Sequence, residues 1–346
     1  MEAMRESILY EKRKSKAVRC LTCAHYCVLK PNGRGRCGAR VNLGGKLYFP
    51  SDGVAVSRAV EPIEKKLLFH FLPGTLTFSF AGASCNFICQ NCRNRALTQS
   101  LKEAKIFRQK TASFGEKISP KRIVEEALSL GCSSVSCALT EPAVFLEYAL
   151  DTMKLAKKEG LKNAWASNGF LSPESRKKII PHLDAININL KAANEKFYRE
   201  VCGGKLKPVL ETCQELKAAN VWLEIGTDLI SGLAGQTENL KQIAYFIAEK
   251  LGPETPWHLS RLAQKKDAQN RPLKKTSLKQ VRQAYEIGKN AGLTYVYLDD
   301  IPRAKEKNTF CPRCKIENIN RSGFRAHRLD KKGLCRECGF DLNIAG

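Results

Sequence analysis

The stretch Ser84-Cys85-Asn86-Phe87-Ile88-Cys89-Gln90-Asn91-Cys92 places three cysteines at x3 and x2 spacing directly after the alternating apolar run Leu76, Phe78 and Phe80. That run has the two-residue period of a strand, so the cysteines fall in the loop that follows it. Structural zinc sites and simple electron-transfer clusters normally take four protein ligands. Three thiolates in one loop therefore describe a metal centre with one position left for something else.

Outward from this strand, the chain from Leu76 to Asp300 alternates short strand-like runs with helical periodicity, the pattern of parallel strands joined by crossover helices. The predicted strands are Leu76 to Ala81, Ser133 to Ala138, Asn163 to Ala166, Ala185 to Leu190, Val221 to Ile230, Trp257 to Leu262 and Tyr295 to Leu298. Between them the clearest helix is Arg122 to Leu130, opened by Ser119-Pro120 and followed by Gly131. Others are predicted at Ala143 to Lys158, Lys207 to Ala219, Glu238 to Lys250 and Ser277 to Ala291. Six or seven such units in one α/β chain fit a partial TIM-type (β/α)6 barrel better than a doubly wound sheet, and barrel chemistry sits at the C-terminal ends of the strands.

Cysteine clusters flank the barrel on both sides. Upstream come Cys20, Cys23, Cys27 and Cys37, with His25 among them, in a segment rich in glycine and polar residues. Four thiols suffice for a structural zinc or an auxiliary cluster, and either would organise a segment too poor in apolar residues to fold by burial alone. His25 is an open ligand question, because four thiolates already fill such a site. Downstream, Cys311-Pro312-Arg313-Cys314 and Cys335-Arg336-Glu337-Cys338 form two knuckles of a zinc-ribbon-like tail. The expected division is a Cys-rich segment at 1–66, the barrel at 67–300 and the tail at 301–346. Cys132, Cys137, Cys202 and Cys213 lie within or beside predicted core elements and read as small hydrophobes.

The composition sets outer bounds. A chain of 346 residues with 43% hydrophobic content is globular, not disordered or fibrous. No run approaches the roughly 18 apolar residues of a spanning helix. The first twenty residues, with Arg5, Lys12, Arg13, Lys14 and Lys16, do not read as a signal peptide. A cytoplasmic protein with no membrane association is expected, and fifteen cysteines in short spacings then point to metal ligation instead of disulfides. The net charge of +24 fits nucleic acid or an acidic protein partner, and equally a generally lysine-rich proteome, since no basic run is interleaved with aromatics as in a base-stacking platform.

The CxxxCxxC triad resembles the cluster motif of the radical S-adenosylmethionine (SAM) family, in which a [4Fe-4S] cluster takes SAM on its fourth iron. Within that family the chain is similar to the AmmeMemoRadiSam system radical SAM enzymes, relatives of the pyruvate formate-lyase-activating enzymes. The resemblance is carried by the upstream Cys/His set, Glu61-Pro62-Ile63-Glu64-Lys65-Lys66 with His70-Phe71-Leu72-Pro73-Gly74, the triad, Trp257 to Arg261, and Cys311-Pro312-Arg313-Cys314. Two departures stand out. Asn91 occupies the place of a usual aromatic before the third cysteine, and Leu262 to Asp267 lacks a His-Pro-x-Tyr element.

What the resemblance implies can be placed residue by residue. Cys85, Cys89 and Cys92 would hold the cluster. Glu141 in Thr140-Glu141-Pro142 would bind the amino group of SAM; alternatively it serves the start of the following helix. Asn168, Asn189 and Gly232 would contact SAM, Asn189 standing where the activases carry an aspartate. Lys191 and His258 are the catalytic or substrate-side candidates, with Arg261 beside them, and residues 61–74 are expected to cover the site. The implied reaction is reductive cleavage of SAM to methionine and a 5'-deoxyadenosyl radical that abstracts hydrogen, on a protein or another acidic macromolecule. Its electron would come from ferredoxin or flavodoxin, and Memo-like and AMMECR-like proteins are implied partners. Radical modification of a nucleic acid and a non-catalytic zinc-bound scaffold are the alternatives.

Overall fold

The structure, a computed structural model, describes residues 4–103, 115–230, 236–261, 276–299, 301 and 304–346. Its centre is an eight-stranded sheet whose spatial order follows the chain. An edge strand, β1 (Ser57–Pro62), pairs antiparallel with β2 (Leu76–Ala81). Parallel to β2 then run β3 (Ser134–Cys137), β4 (Lys162–Ser167), β5 (Ala185–Asn189), β6 (Trp222–Leu229), β7 (Trp257–Arg261) and β8 (Val296–Leu298). β1 and β8 are the two edges and do not pair, so the barrel is partial, as the strand pattern predicts.

Side-chain alternation explains both faces. Phe78, Phe80, Val135, Cys137, Trp165, Ile186, Ile188, Leu223, Ile225, Trp257, Leu259 and Val296 all point outward into the main core. The alternate positions are small or polar: Thr77, Ser79, Ser134, Ser136, Asn187, Glu224, Gly226 and His258. Because successive strand residues face opposite sides, one face packs on helices and the other lines a polar interior. The helices begin where their capping signals stand. Ser119 accepts from Arg122 N–H ahead of Pro120–Ser129, and Ser277 forms a capping box with Gln280 ahead of Leu278–Asn290. Helices Arg95–Glu103 and Pro173–Ile179 were not among the predicted elements.

The polar interior is filled by chain from outside the β/α units. Residues 61–74, expected as a cover over the site, divide: Lys65, Lys66 and Leu67 line the cavity, while Phe69 and His70 enter the floor of the barrel. Glu224 accepts from the backbone N–H groups of Phe69 and His70, each at 2.9 Å, and pairs with His258 Nε2 at 2.7 Å. Glu224 and His258 lie near the N-terminal ends of β6 and β7, away from the mouth. From the tail, Arg321 lies over the Phe69 ring at 4.3 Å and donates to the Phe69 carbonyl at 2.7 Å. The tail hairpin of Glu317–Ser322 and Arg325–Arg328 thereby packs against the segment from Phe69 to Gly74. The N-terminal segment forms small antiparallel sheets and is tied to the barrel by a buried bidentate pair between Arg40 and Glu147. No described helix is long and apolar enough to cross a membrane.

Candidate active site

The triad loop is seated by the C-terminal end of the short helical segment after β5, Glu195–Phe197 continued by Tyr198–Cys202. Ile88 N–H donates to Cys202 O at 2.9 Å and Gln90 N–H to Val201 O at 3.1 Å. The loop then lies flat on Gly203-Gly204. A Cβ at Gly204 would stand 2.2 Å from the Phe87 ring, so only glycine permits this approach. The pair is a bed for the cysteine loop.

Cys85, Cys89 and Cys92 open into a cavity of about 340 Å³ at the C-terminal ends of the strands. The other strand ends supply Glu141, Ser167, Asn168, Asn189, Lys191, Asp228, Ser260 and Asp299 to the same cavity. Glu141 is buried and accepts from Ser167 Oγ (2.9 Å), Asn168 N–H (2.9 Å) and Ala143 N–H (3.2 Å). Burial pushes its carboxyl up to about 7 against those three donors. It thus serves the helix start and lines the cavity at once.

Asn168 turns toward the triad. Its Nδ2 donates to Asn86 Oδ1 at 2.7 Å and approaches Cys85 Sγ at 3.5 Å, where Phe87 N–H also donates at 3.4 Å. Asn189 donates to Asp228 Oδ2 at 3.0 Å, while its own Oδ1 is buried without a partner. Arg93 bonds the other oxygen of Asp228 at 2.9 Å. The thiol of Cys202 hydrogen-bonds Cys89 and, against burial and with help from Lys191, draws that thiol down. Cys202, buried in the main core as expected, thus also stands beside Cys89. Lys191, partly buried, is held protonated, the charges of Cys89 and Asp228 outweighing desolvation.

His258 does not reach this cavity. It points into the interior two residues below Ser260, bonded to Glu224, edge-on to Phe69 at 4.6 Å and stacked on Tyr297 at 5.4 Å between ring centroids. It is a floor residue, and the reading of a catalytic His258 is corrected by its strand register. Gly232 lies outside the described residues. Asp228, Ser260 and Asp299 were missed, although Glu224, Gly226 and Asp228 share the inward parity of β6. Lys65 and Lys66, from the segment expected to cover the site, also line the cavity, as does Phe324 from the tip of the tail hairpin, which nothing in its local sequence signals.

The flanking cysteines form two further groups. In the tail, Cys311 and Cys338 lie 3.6 Å apart, Cys314 and Cys335 lie 3.5 Å apart, and all four sulfurs fall within 4.8 Å of one another. Tetrahedral zinc with Zn–S bonds of about 2.3 Å requires such spacing. Upstream, Cys20, Cys23, Cys27 and Cys37 line a separate small cavity, and His25 there spends Nε2 on the Asn86 carbonyl at 2.9 Å.

With this geometry in place, the Radical SAM superfamily profile matches residues 81–247, from the end of β2 through the triad and onward. The chain carries a radical SAM superfamily domain. It also belongs to one family with the uncharacterized protein MJ0808 of Methanocaldococcus jannaschii, 35% identical over 99% of both chains. Among solved structures it is similar to a domain of pyruvate-formate lyase-activating enzyme from Bacteroides vulgatus, at 19% identity with 48% of this chain and 98% of that one covered, TM-score 0.42. It is also similar to Streptococcus suis SuiB bound to S-adenosylmethionine, at 13% identity with 66% of this chain and 49% of that one covered, TM-score 0.47. The radical SAM superfamily implies an enzyme that uses a [4Fe-4S] cluster and SAM.

Proposed function

We propose that Cys85, Cys89 and Cys92 hold the [4Fe-4S] cluster, that SAM lies across Glu141, Asn189 and Lys191, and that the enzyme generates a radical on a protein substrate in the manner of an activase. The observation that carries this reading is the convergence, on one cavity, of three thiols and a buried carboxylate, with a buried amide oxygen that lacks a partner. An unpaired acceptor in a polar cavity calls for a donor from a ligand, and a ribose hydroxyl is such a donor. The donor set also fits the cluster, since the thiols receive hydrogen bonds suited to bound thiolates.

When bound, the cluster and SAM supply reductive cleavage of the sulfonium to a 5'-deoxyadenosyl radical. The chain's own residues bind and orient. Glu141 presents a carboxylate to an ammonium, Lys191 presents a cation to a carboxylate, and Asn168 and Phe87 donate N–H groups to Cys85. Arg93 and Asn189 fix Asp228 beside them. Phe324 and residues 65–67 narrow the approach, which keeps water from the reacting atoms. The AmmeMemoRadiSam assignment, an electron donor of the ferredoxin or flavodoxin type and an association with Memo-like or AMMECR-like proteins are supported by the sequence resemblance.

Anaerobic reconstitution with iron, sulfide, SAM and a reductant tests the reading. The wild type should release 5'-deoxyadenosine, whereas Cys89→Ala should lose both the triad's cluster absorbance and the product. Continued SAM-dependent release by reconstituted Cys89→Ala would sink it.

A further inference from the structure

We propose that Cys20, Cys23, Cys27 and Cys37 bind a polynuclear iron–sulfur cluster, a second one beside that of the barrel, instead of a single zinc ion. The tail provides an internal standard. A lone tetrahedral ion pulls four sulfurs to within about 4 Å of each other, and the tail thiols have that spacing. The upstream thiols do not. All four line one cavity, yet no three ligand atoms of this set lie within 4.8 Å of one another. A cluster places several metal and sulfide atoms between its terminal thiolates and so needs a wider ring of cysteines.

A second observation points to an anionic, sulfur-rich occupant. Arg40 lines this cavity and is 1% exposed. Its Nη1 donates to Ser7 Oγ and Glu147 Oε1, and its Nη2 to Val144 O and Glu147 Oε2, at 2.6 to 3.1 Å. That uses four of the five guanidinium donors, and the fifth, Nε–H, is buried without a partner. A cluster with four thiolate ligands carries net negative charge and presents sulfur acceptors to such a donor. Thr22 Oγ1, 3.4 Å from Cys20 Sγ, stands on the same wall. Asn86, next to Cys85 in the chain, closes the cavity on the barrel side, so the two metal centres stand back to back across one residue.

The test uses the full chain with Cys85, Cys89 and Cys92 all changed to serine, reconstituted anaerobically with iron, sulfide and zinc, followed by metal and acid-labile sulfide analysis. This variant should retain about two to four irons with matching sulfide and a visible sulfur-to-iron charge-transfer band, plus one zinc in the tail. A variant with no iron, whether with two zincs or one, would overturn the proposal. Should the variant fail to fold, the wild type decides: about six to eight irons support a second cluster, and about four irons with two zincs refute it. Equal iron in the wild type and in a folded variant would leave this site standing and remove the cluster proposed at the triad.

Discussion

Arg40 and Glu147 meet through two hydrogen bonds of 2.7 Å in a place where both are excluded from water, joining the Cys-rich segment to the helix after β3. Removing one partner leaves the other charge buried and unpaired, which costs about 3–5 kcal/mol. Arg40→Met should lower the urea midpoint accordingly, and Arg40→Met/Glu147→Leu should recover part of the loss. Equal destabilisation by the single and double variants would show that the pair is not the source.

Glu141 should set the pH dependence of SAM binding. With its carboxyl pushed up to about 7 by burial, it becomes neutral below that pH and loses its attraction for an ammonium. Lowering the pH from 7.5 to 6 should weaken SAM binding several-fold. Glu141→Gln should weaken it about 10- to 100-fold at pH 7.5, in proportion to a lost charge-assisted hydrogen bond, and should flatten the profile. Anaerobic equilibrium dialysis measures both; an unchanged profile in the variant would count against Glu141.

His70 should make folding stability depend on pH. Its Nδ1 faces the Asn343 carbonyl at 2.8 Å and its Nε2 the Tyr297 hydroxyl at 2.6 Å, an arrangement for a neutral ring. Burial depresses its pKa to about 4, against about 6.5 when unfolded. The unfolded chain therefore binds the extra proton between these values, so stability is full above about 6.5 and falls as the pH drops toward 4, by about 3 kcal/mol at the limit. Urea titrations across this range should show the decline, and His70→Asn should reduce its slope.

Phe324→Ala should open the cavity from the tail side. Cluster loading and SAM affinity should stay near wild type, while 5'-deoxyadenosine formed without substrate should rise several-fold, because an unshielded site lets water and buffer compete. A variant with wild-type coupling would show that Phe324 is only a neighbour of the chamber.

Loss of the tail's metal should be felt in the barrel. Cys335→Ser removes one ligand from a four-sulfur site whose binding energy is folding energy. Since Arg321 anchors the tail hairpin to the Phe69 carbonyl, amide exchange should accelerate at residues 67–71 as well as in the tail. Exchange confined to residues 308–346 would refute the coupling.

The strands and most helices were legible because their signals are local: two-residue alternation in Leu76 to Ala81, and Ser119-Pro120 or Ser277 at helix starts. The cysteine groups and Glu141 were legible for the same reason, as they stand at short fixed spacings or at the end of a readable strand. What escaped depends on distant chain. His258 and Ser260 share a parity, and only the depth at which Phe69 enters the barrel makes one a floor residue and the other part of the cavity wall. Cys202 becomes a partner of Cys89 because Gly203-Gly204 lets the triad loop settle there, and Phe324 arrives from a hairpin that Arg321 ties to the Phe69 carbonyl.

The polar inner face of the sheet has a consequence for how such a chain can diversify. Thr77, Ser79, Ser134 and Ser136 are small and buried on that face, and the wall of the chamber is completed from outside the β/α units by residues 65–67 and by Phe324 of the tail hairpin. Substitutions in those two segments can enlarge, shrink or re-shape the chamber while every strand, and the three cysteines that depend on them, stays as it is.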